Sequence, residues 1–536
     1  MNKSRRIRPD LVLSSGMFTI GAMMVLCIIF YMITGAEGVG YLSAPVALFL
    51  MGYGILIASF EIVTRDMVRI HLTKGHMKEA QKKLRQLMLV SFGVGAGLAL
   101  LCAAFSSVFA NMVFHSSRSF YVLFAIAPVL LFLGVQGVLR GYLAGAGFLS
   151  ASLFSNAILV VITYVLFMLF SGAAYNYGLK VNALMHVEDI ASVYGAIGAA
   201  FGITVSSLVS LLFVIVMVLV KRRELKRLSE NSIIEKATRD HGFMLDLVPM
   251  WLIFGQGGLL MFIDECVYMA VADSIHSSEN NISNWGIYIG QCLALTVLIL
   301  FFSAIPFIKS WYGVKISIIK RDFKAARAKI QNLMHFEAML IFPIVIWIMV
   351  LSGTITALIF GKTNVSAVNM IVLTLPIALP GAFLIFQTFL LVQLKNNILL
   401  TFNAVLGIVV HIVILVVMST AFKFGIHASM AAFFGMILIQ AVLGFFELKV
   451  MLDYKQEVVR NILKPLLAAG LSGLLAMIID RALVNLIGEV LTLIIALILS
   501  YLLYMAALIF LKSVNRYEIE KMPFGYYFAI LADRWQ

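Results

Sequence analysis

The dominant feature of this sequence is a succession of long apolar runs that carry few charged residues. Each run is close to the about 20 residues that an α-helix needs to cross the ~30 Å hydrocarbon core of a membrane. The composition, 62% hydrophobic and 12% charged, excludes a soluble globular protein, in which about 25% of residues are charged. We therefore predict an all-α polytopic membrane protein with about 14 transmembrane helices. The predicted spans lie near residues 11–36, 40–62, 87–112, 119–145, 150–171, 192–220, 246–272, 286–308, 335–360, 367–393, 398–421, 425–448, 465–486 and 488–511.

The distribution of Lys and Arg predicts the orientation of these spans. If the N-terminus is cytoplasmic and the spans alternate, 35 of the 40 Lys and Arg residues fall in cytoplasmic segments and 5 fall outside. Cytoplasmic loops of membrane proteins carry such an excess of basic residues. One missed or extra span would destroy the asymmetry, so we predict that both termini are cytoplasmic.

The connections between the spans are too short for a separate soluble domain. The longest has about 26 residues, and none contains the GxxxxGK[ST] phosphate-binding loop of ATPases. An outside loop predicted at 172–191 is likewise too small for the domain that a membrane glycosyltransferase needs. We therefore predict no enzyme activity, no nucleic-acid partner, no metal and no cofactor.

An internal repeat links the two halves of the chain. The segment 68–88, VRIHLTKGHMKEAQKKLRQLM, aligns without gaps on 314–334, VKISIIKRDFKAARAKIQNLM, with eight identities in 21 positions. The constant offset of 246 residues carries the first predicted span onto the seventh and the second onto the eighth. Coincidence between two basic amphipathic helices is the alternative explanation.

An offset of six spans predicts two six-helix bundles that enter the membrane in the same sense and are related by pseudo-twofold symmetry, as a parallel repeat. Two such bundles around a central cleft are typical of transporters. The predicted organisation comprises an N-terminal bundle at 1–220, a cytoplasmic basic linker at 221–245, a C-terminal bundle at 246–450, two additional transmembrane helices at 451–512 and a cytoplasmic amphipathic tail at 513–536.

Several motifs together resemble the multidrug/oligosaccharidyl-lipid/polysaccharide (MOP) exporter superfamily, and within it the polysaccharide-biosynthesis and lipid II flippases of the MurJ and stage V sporulation protein B type. The similar features are LTKGHMKEAQKKLR after span two, GVLRGYLAGAG at 137–147, FID at 262–264 and FFSAIPFIK around Pro306. Together with the span count and the repeat, the resemblance covers roughly residues 11–450.

The resemblance implies a monomeric exporter of a lipid-linked saccharide in the bacterial cytoplasmic membrane. It implies alternating access driven by membrane potential or by an H⁺ or Na⁺ gradient, with the lipid-linked substrate and membrane lipids as partners. Two departures favour a glycan other than that of lipid II. Residues 11–36 carry none of the arginines that lipid II flippases of this type place in the first span, and Ala144 occupies the position of a glutamine in the RGYFQG form.

Ionisable residues inside a span are costly and therefore candidates for function. Asp264 and Glu265 lie well inside predicted span seven, and consecutive helical positions point about 100° apart, so only one of them can face a given cleft squarely. We expect Asp264 to bind the coupling ion or a substrate cation and Glu265 to line the cavity. Packing of neutral carboxyl groups between helices is the alternative.

A second set of candidates lies near the cytoplasmic ends of spans two and four. Arg140 could receive an anionic phosphate, since guanidinium groups bind phosphate in a bidentate manner. Glu61, followed by Arg65 and Asp66, could form an inner gate with Arg140 or with Lys309. The alternative for these residues is interfacial anchoring without a role in transport.

Neutral polar residues within the spans provide further candidates. Glutamine side chains could hydrogen-bond sugar hydroxyls in a cleft, whereas holding helices together is their more common role in membranes. His411 could sense protons or could serve packing. The small-residue runs Gly93–Gly97 and Gly198–Gly202 indicate close helix packing. The glutamines concerned are Gln136, Gln256, Gln291, Gln387 and Gln440.

Three functions are compatible with these features. The favoured one is a flippase that moves a polyprenyl-diphosphate-linked oligosaccharide or peptidoglycan precursor across the membrane. An H⁺- or Na⁺-coupled multidrug antiporter of the same superfamily is the second, although spans thirteen and fourteen are unusual for drug exporters of this group. The third is a membrane scaffold for envelope assembly that does not transport.

Overall fold

The computed structural model describes residues 9–113, 117–187, 190–230, 242–275, 281–361, 364–520, 522 and 524–535. Every regular element in these ranges is a helix. Those of the first half are α1 (Pro9–Gly52), α2 (Phe60–Thr73), α3 (Met77–Val108), α4 (Ser119–Gly145), α5 (Leu149–Met185), α6 (Ile190–Val220), α7 (Arg222–Glu230), α8 (Gly242–Leu245), α9 (Leu247–Ile275) and α10 (Asn281–Ile287).

The second half continues the same pattern, and short π-helical segments at 53–59, 109–113, 288–293, 417–421 and 459–463 join or extend helices along the chain. Its helices are α11 (Ala294–Ile319), α12 (Phe323–Val350), α13 (Ser352–Phe360), α14 (Val365–Thr374), α15 (Ala378–Leu394), α16 (Asn397–Val416), α17 (His427–Leu452), α18 (Lys464–Ile487), α19 (Glu489–Phe510), α20 (Arg516–Ile519) and α21 (Gly525–Trp535).

Thirteen helical segments of the described chain are long and apolar enough to cross a membrane. The protein is therefore a multi-pass integral membrane protein. The first segment, Ser15–Thr73, has 59 residues and contains the first two predicted spans. Its helix is interrupted at Gly35, where φ is 73° and ψ is −170°, at the point where the sequence predicts the connection between them. The count of fourteen crossings stays a prediction.

The predicted outside loop at 172–191 is wrong, because α5 continues without interruption to Met185 and α6 begins at Ile190. The error arises because hydropathy falls after residue 171, whereas the chain stays helical to Met185. The extension is stabilised by packing against α6, where Gly178 lies against the backbone of Ala191. Residues Glu188 and Asp189 of that predicted loop lie outside the described residues.

The chain forms two compact units. The first comprises residues 1–290 and 395–432, and the second comprises residues 291–394 and 433–536. One apolar cluster of the first unit joins Leu415, Ala428 and Ala432 to side chains of α9. In the second unit, Leu351 packs on Ala476, Ile479 and Ala496 of α18 and α19. The predicted bundle and tail boundaries, like the pseudo-twofold symmetry, stay predictions.

Polarity is distributed as expected for a protein surrounded by lipid. Large apolar side chains such as Leu184, Ile398 and Val450 are about 80% exposed, whereas charged and amide side chains such as Asp264 and Gln136 are fully buried. In a hydrocarbon environment polar groups have no water to bond and must be satisfied within the protein. We therefore expect the functional polar side chains to lie in the interior of each unit.

The two copies of the sequence repeat adopt the same local structure at the same register. α2 ends at Thr73 and α3 begins at Met77, while α11 ends at Ile319 and α12 begins at Phe323, which reproduces the offset of 246 residues. Both turns are closed by the same backbone hydrogen bonds. Both place their second residue in the left-handed region, Gly75 with φ 75° and Arg321 with φ 57°.

The presence of glycine in one turn and arginine in the other predicts a difference in the local stability of the two turns. A side chain in the left-handed region is strained, and glycine relieves the strain. Arg321→Gly should stabilise its turn by about 0.5–1 kcal/mol, which corresponds to about two- to fivefold slower amide hydrogen exchange there. Gly75→Arg in the other copy is the matched control and should accelerate exchange. Equal exchange in both variants and the wild type would contradict the assignment of strain.

Candidate functional site

A buried ion pair joins two of the predicted site residues in the first unit. Arg140 Nη2 on α4 lies 2.8 Å from Glu61 Oε2 on α2, and the two side chains are 1% and 2% exposed. The hydroxyl of Ser152 on α5 donates a hydrogen bond to the other carboxylate oxygen of Glu61. The predicted pairing of Glu61 with Arg140 is therefore present, and it connects three helices of the same unit.

A polar network surrounds the Arg140 guanidinium. Nη1 donates to Asn156 Oδ1 at 3.0 Å, and the hydroxyl of Tyr53 donates to the same oxygen at 2.9 Å. The amide of Asn156 then donates to Thr19 Oγ1 at 2.7 Å and to the carbonyl oxygen of Ser15 at 2.6 Å. Within the described residues, Arg140 Nε has no hydrogen-bond partner. In this state the guanidinium is held by the protein and is not open to a ligand.

Two glycines of the GVLRGYLAGAG motif bring α4 close enough for this contact. A Cβ at Gly137 would meet the carbonyl oxygen of Leu56. A Cβ at Gly141 would lie 2.7 Å from the carbonyl oxygen of Glu61 and 2.7 Å from Thr64 Cβ. Close approach of helix backbones through small residues is the usual basis of packing in membranes. These glycines explain why Arg140 reaches Glu61.

Gly141→Ala should therefore push α4 away from α2 and destabilise the protein by about 1–3 kcal/mol, the usual cost of overpacking. Thermal unfolding in detergent measures the effect. Gly97→Ala is the control, because nothing lies within 4 Å of a Cβ at that position. Equal melting of the two variants would refute the packing argument.

The close-packing prediction for the glycine runs is confirmed for one run and wrong for part of the other. Gly198 and Gly202 of α6 lie against the backbone of α5 at Phe170 and Phe167. Gly93 and Gly97 of α3 have open space where a side chain would be. Small residues alone do not reveal which face of a lipid-exposed helix packs.

Arg65 and Asp66 form a second polar contact in the same unit. Asp66 Oδ1 lies 2.9 Å from Arg65 Nη2, and its Oδ2 lies 3.2 Å from Lys395 Nζ at the start of the 395–432 segment. Arg65 is 2% exposed. Asp66 thus links α2 to the turn before α16. The side chain of Lys309, the other predicted gate partner, lies outside the described side chains.

Asp264 on α9 is paired with a histidine of α16. Its Oδ1 lies 2.6 Å from His411 Nε2 on α16, and both side chains are fully buried. The other carboxylate oxygen of Asp264 and the hydroxyl of Ser429 have no hydrogen-bond partner among the described residues. Two residues that the sequence analysis treated separately are therefore one carboxyl–imidazole pair.

Glu265 faces a different helix from its neighbour Asp264, as the 100° spacing predicts. Its Oε1 lies 2.5 Å from Ser43 Oγ on α1, and its side chain is 1% exposed. A small cavity of about 10 Å³ adjoins this carboxyl and is lined in part by Tyr41, Ser119 and Met269. This space is only about the size of a water molecule, and a place for Glu265 in a substrate cavity stays a prediction.

The predicted glutamines are dispersed. Gln136 donates to Ser155 Oγ at 3.1 Å and to Ser210 Oγ at 2.5 Å, so it joins α4, α5 and α6. Gln291, Gln387 and Gln440 are buried, whereas Gln256 is half-buried. In the first unit, the role of Gln136 in this conformation is helix packing.

Sequence analysis missed a buried carboxyl in the second unit. Glu337 on α12 is fully buried, and neither of its carboxylate oxygens has a hydrogen-bond partner in the described part of the chain. The hydropathy window began the ninth span at residue 335, which placed Glu337 at an interface. α12 begins at Phe323, so Glu337 lies in mid-helix. The helical periodicity of 323–334 was the available signal.

No family model and no curated protein matches this sequence. Solved structures do match the fold. "Lipid II flippase MurJ, inward closed conformation" matches with a TM-score of 0.59 and 12% identity, over 92% of this chain and 98% of that chain. An inward-facing multidrug resistance MATE family transporter of the MOP superfamily matches with a TM-score of 0.58 and 13% identity, over 81% and 98%.

A third similar structure is a MOP superfamily transporter from Pyrococcus furiosus, with a TM-score of 0.52 and 15% identity, over 84% of this chain and 98% of that chain. The chain therefore has the polytopic helical fold of these solved structures. More narrowly, it is the fold of the MOP superfamily, which confirms at the level of fold the resemblance given by the sequence motifs.

Proposed function

We propose that this protein is a proton-coupled flippase that moves a polyprenyl-diphosphate-linked saccharide across the cytoplasmic membrane by alternating access. The observation that carries the proposal is the length of the fold match. The flippase structure corresponds to 92% of this chain, whereas the multidrug transporter corresponds to 81%. We infer that the additional matched length corresponds to the last two long helices, α18 and α19, which a drug exporter of this fold does not need.

The last two long helices are integral to the second unit, which supports this distinction. The hydroxyl of Tyr504 on α19 donates to the carbonyl oxygen of Met339 on α12 at 2.9 Å. The indole N–H of Trp347 donates to Ser472 Oγ on α18 at 2.9 Å. A pair of helices bonded to α12 in this way is part of the working protein.

Arg140 is the proposed contact for the diphosphate. A guanidinium recognises phosphate oxygens with paired hydrogen bonds, and in this state the carboxylate of Glu61 occupies that position. During alternating access, the diphosphate of the substrate would replace the Glu61 carboxylate at Arg140. Such an exchange keeps the guanidinium paired throughout and avoids the cost of an isolated buried charge.

The Asp264–His411 pair supports coupling to protons rather than to Na⁺. Chains of Asp, Glu and His inside membranes are typical proton relays. Na⁺ sites in transporters instead use oxygen ligands, often backbone carbonyls of broken helices. The ring nitrogen of His411, 2.6 Å from the carboxylate, shares one proton with it, and the imidazole offers no oxygen ligand. Movement of one proton onto this pair changes its charge and so biases the conformation.

Reconstituted liposomes test the proposal. Protein-containing vesicles loaded with a labelled polyprenyl-diphosphate glycan should move the label between leaflets, and a pH gradient should accelerate the movement while a Na⁺ gradient of equal size should not. Failure to move any lipid-linked glycan under either gradient or under a membrane potential would contradict the proposal.

An H⁺-coupled multidrug antiporter is the second candidate. It is favoured by the fold match to the MATE transporter and by a buried carboxyl that could pair with a cationic drug. Efflux of a cationic dye from the same vesicles, driven by a pH gradient and absent for the lipid-linked glycan, would support it. A non-transporting scaffold would show neither activity, and Asp264→Asn would then leave cellular complementation intact.

A further inference from the structure

One face of α3 changes from basic to apolar along the helix. Lys82 and Arg85 are exposed near its start, and Leu89 and Leu100 further along are 73% and 70% exposed. Positions i, i+3, i+7 and i+18 lie on the same side of an α-helix. The two basic residues and the two leucines therefore form one continuous surface, which we call the α3 stripe.

The apolar part of the α3 stripe has the length of one membrane leaflet. The rise from Leu89 to Leu100 is about 16 Å at about 1.5 Å per residue, and one leaflet is about half of the ~30 Å hydrocarbon core. Phe92 on the same face is 50% exposed, and nothing lies within 4 Å of a Cβ at Gly93. An acyl chain can therefore lie along this face with its headgroup at the basic end.

The charges at the basic end of the α3 stripe are not neutralised by the protein. The nearest acid in sequence, Glu79, lies with its Oε1 3.4 Å from Lys83 Nζ on the same helix. Among the described residues, no acidic side chain pairs with Lys82 or Arg85. Both cations are open to an external anion.

The short helix α7 adds positive charge beside this end of α3. Ser229 Oγ lies 3.3 Å from Gln81 Oε1 of α3, and Leu225 is 4% exposed, so α7 is packed against the fold. Its acids Glu224 and Glu230 each pair with a lysine three or four residues away. The exposed arginines of α7 are Arg222, Arg223 and Arg227.

The second copy of the sequence repeat has no such stripe. At the offset of 246 residues, Ala328 and Gln331 occupy the positions of the two basic residues, and His335 occupies that of Leu89. His335 is 1% exposed. A role in orienting the helix by basic residues would apply to both copies alike. A ligand accounts for bases and exposed leucines that occur together in one copy.

We propose that the α3 stripe binds an anionic phospholipid, with the phosphate at Lys82 and Arg85 and one acyl chain along Leu89 to Leu100. A phospholipid is favoured over an acidic protein, because the positive charge continues directly into an apolar, exposed surface. It is favoured over the lipid-linked substrate, because the stripe faces outward whereas Arg140, the proposed diphosphate contact, is 1% exposed. The inference does not depend on the proposed transport function.

Photoactivatable lipids in phosphatidylcholine vesicles test the site. Trace phosphatidylglycerol and trace phosphatidylcholine carry the same diazirine in mid-chain, and mass spectrometry of peptides locates the crosslinks. The anionic probe should label residues 89–100 on the order of tenfold more than the neutral probe, since each basic residue near an anionic headgroup is worth about fivefold in affinity. Lys82→Gln/Arg85→Gln should lower this ratio about fivefold or more.

Lys320→Gln/Lys324→Gln is the matched control, because it removes the same charge from exposed lysines at the turn of the second copy, and it should keep the ratio. Added salt should lower the ratio in the wild type, since salt screens exposed charges. Equal labelling by the two probes, or a ratio that Lys82→Gln/Arg85→Gln leaves unchanged, would overturn the proposal. Labelling of 89–100 by a polyprenyl-diphosphate probe that excess phosphatidylglycerol does not displace would also overturn it.

Discussion

Arg140→Ala is expected to destabilise the protein by about 3–5 kcal/mol, the usual cost of breaking a buried ion pair. The reason is the environment of Glu61. Its carboxylate is 2% exposed and lies 2.8 Å from the guanidinium, and removal of the cation leaves the charge with only the hydroxyl of Ser152. Asn156 loses a hydrogen-bond donor as well. Thermal unfolding in detergent at fixed protein and lipid concentration measures the loss.

The double variant Glu61→Gln/Arg140→Gln is the informative control. Removal of both charges avoids the isolated carboxylate, so this variant should recover much of the stability lost in Arg140→Ala. Lys226→Ala removes one partner of an exposed pair, with side chains 75% and 61% exposed, and should melt like the wild type. If Arg140→Ala also melted like the wild type, the buried pair would not be a structural element.

Asp264→Asn is expected to abolish the acceleration of transport by a pH gradient and leave the rate found without a gradient. The amide cannot take up a proton, so the charge of the pair no longer follows pH. His411→Ala should have the same effect, because it removes the other half of the pair. The measurement is the initial rate of substrate movement in liposomes at a series of imposed gradients.

Asp480→Asn is the control, since Asp480 also lies on a long apolar helix, α18, and accepts a hydrogen bond from Thr354 at 2.6 Å without a histidine partner. It should retain the full response to pH. Retention of that response by Asp264→Asn as well would show that coupling resides elsewhere, and Glu337 of the second unit would then be the carboxyl to test.

Much of the fold follows from hydropathy and a single repeat. Predicted spans such as 119–145 and 398–421 agree with α4 and with α16 and its π-helical extension, because each is bounded by turn residues. The helix ends at Thr73 and Ile319 keep the offset of the sequence repeat. The continuation of α5 to Met185 escaped prediction, since a helix outside the hydrocarbon core is decided by packing and not by hydropathy.

The candidate site could be predicted only one residue at a time. Rarity of charge inside spans identified Asp264, Glu265 and Arg140. Their partners are ordinary polar residues, Ser43 and Asn156 among them, which occur throughout the chain and carry no signal of their own. Partner choice depends on which helices touch, and here it is set by the close approach that Gly137 and Gly141 allow.

Mass spectrometry of the lipids that co-purify with the protein in mild detergent tests the proposal that the substrate is a lipid-linked saccharide. The wild type should carry a polyprenyl-diphosphate glycan. The double variant Glu61→Gln/Arg140→Gln, which should retain the fold but lacks the guanidinium proposed to contact the diphosphate, should carry much less. Bulk phospholipid alone in both preparations would contradict the claim.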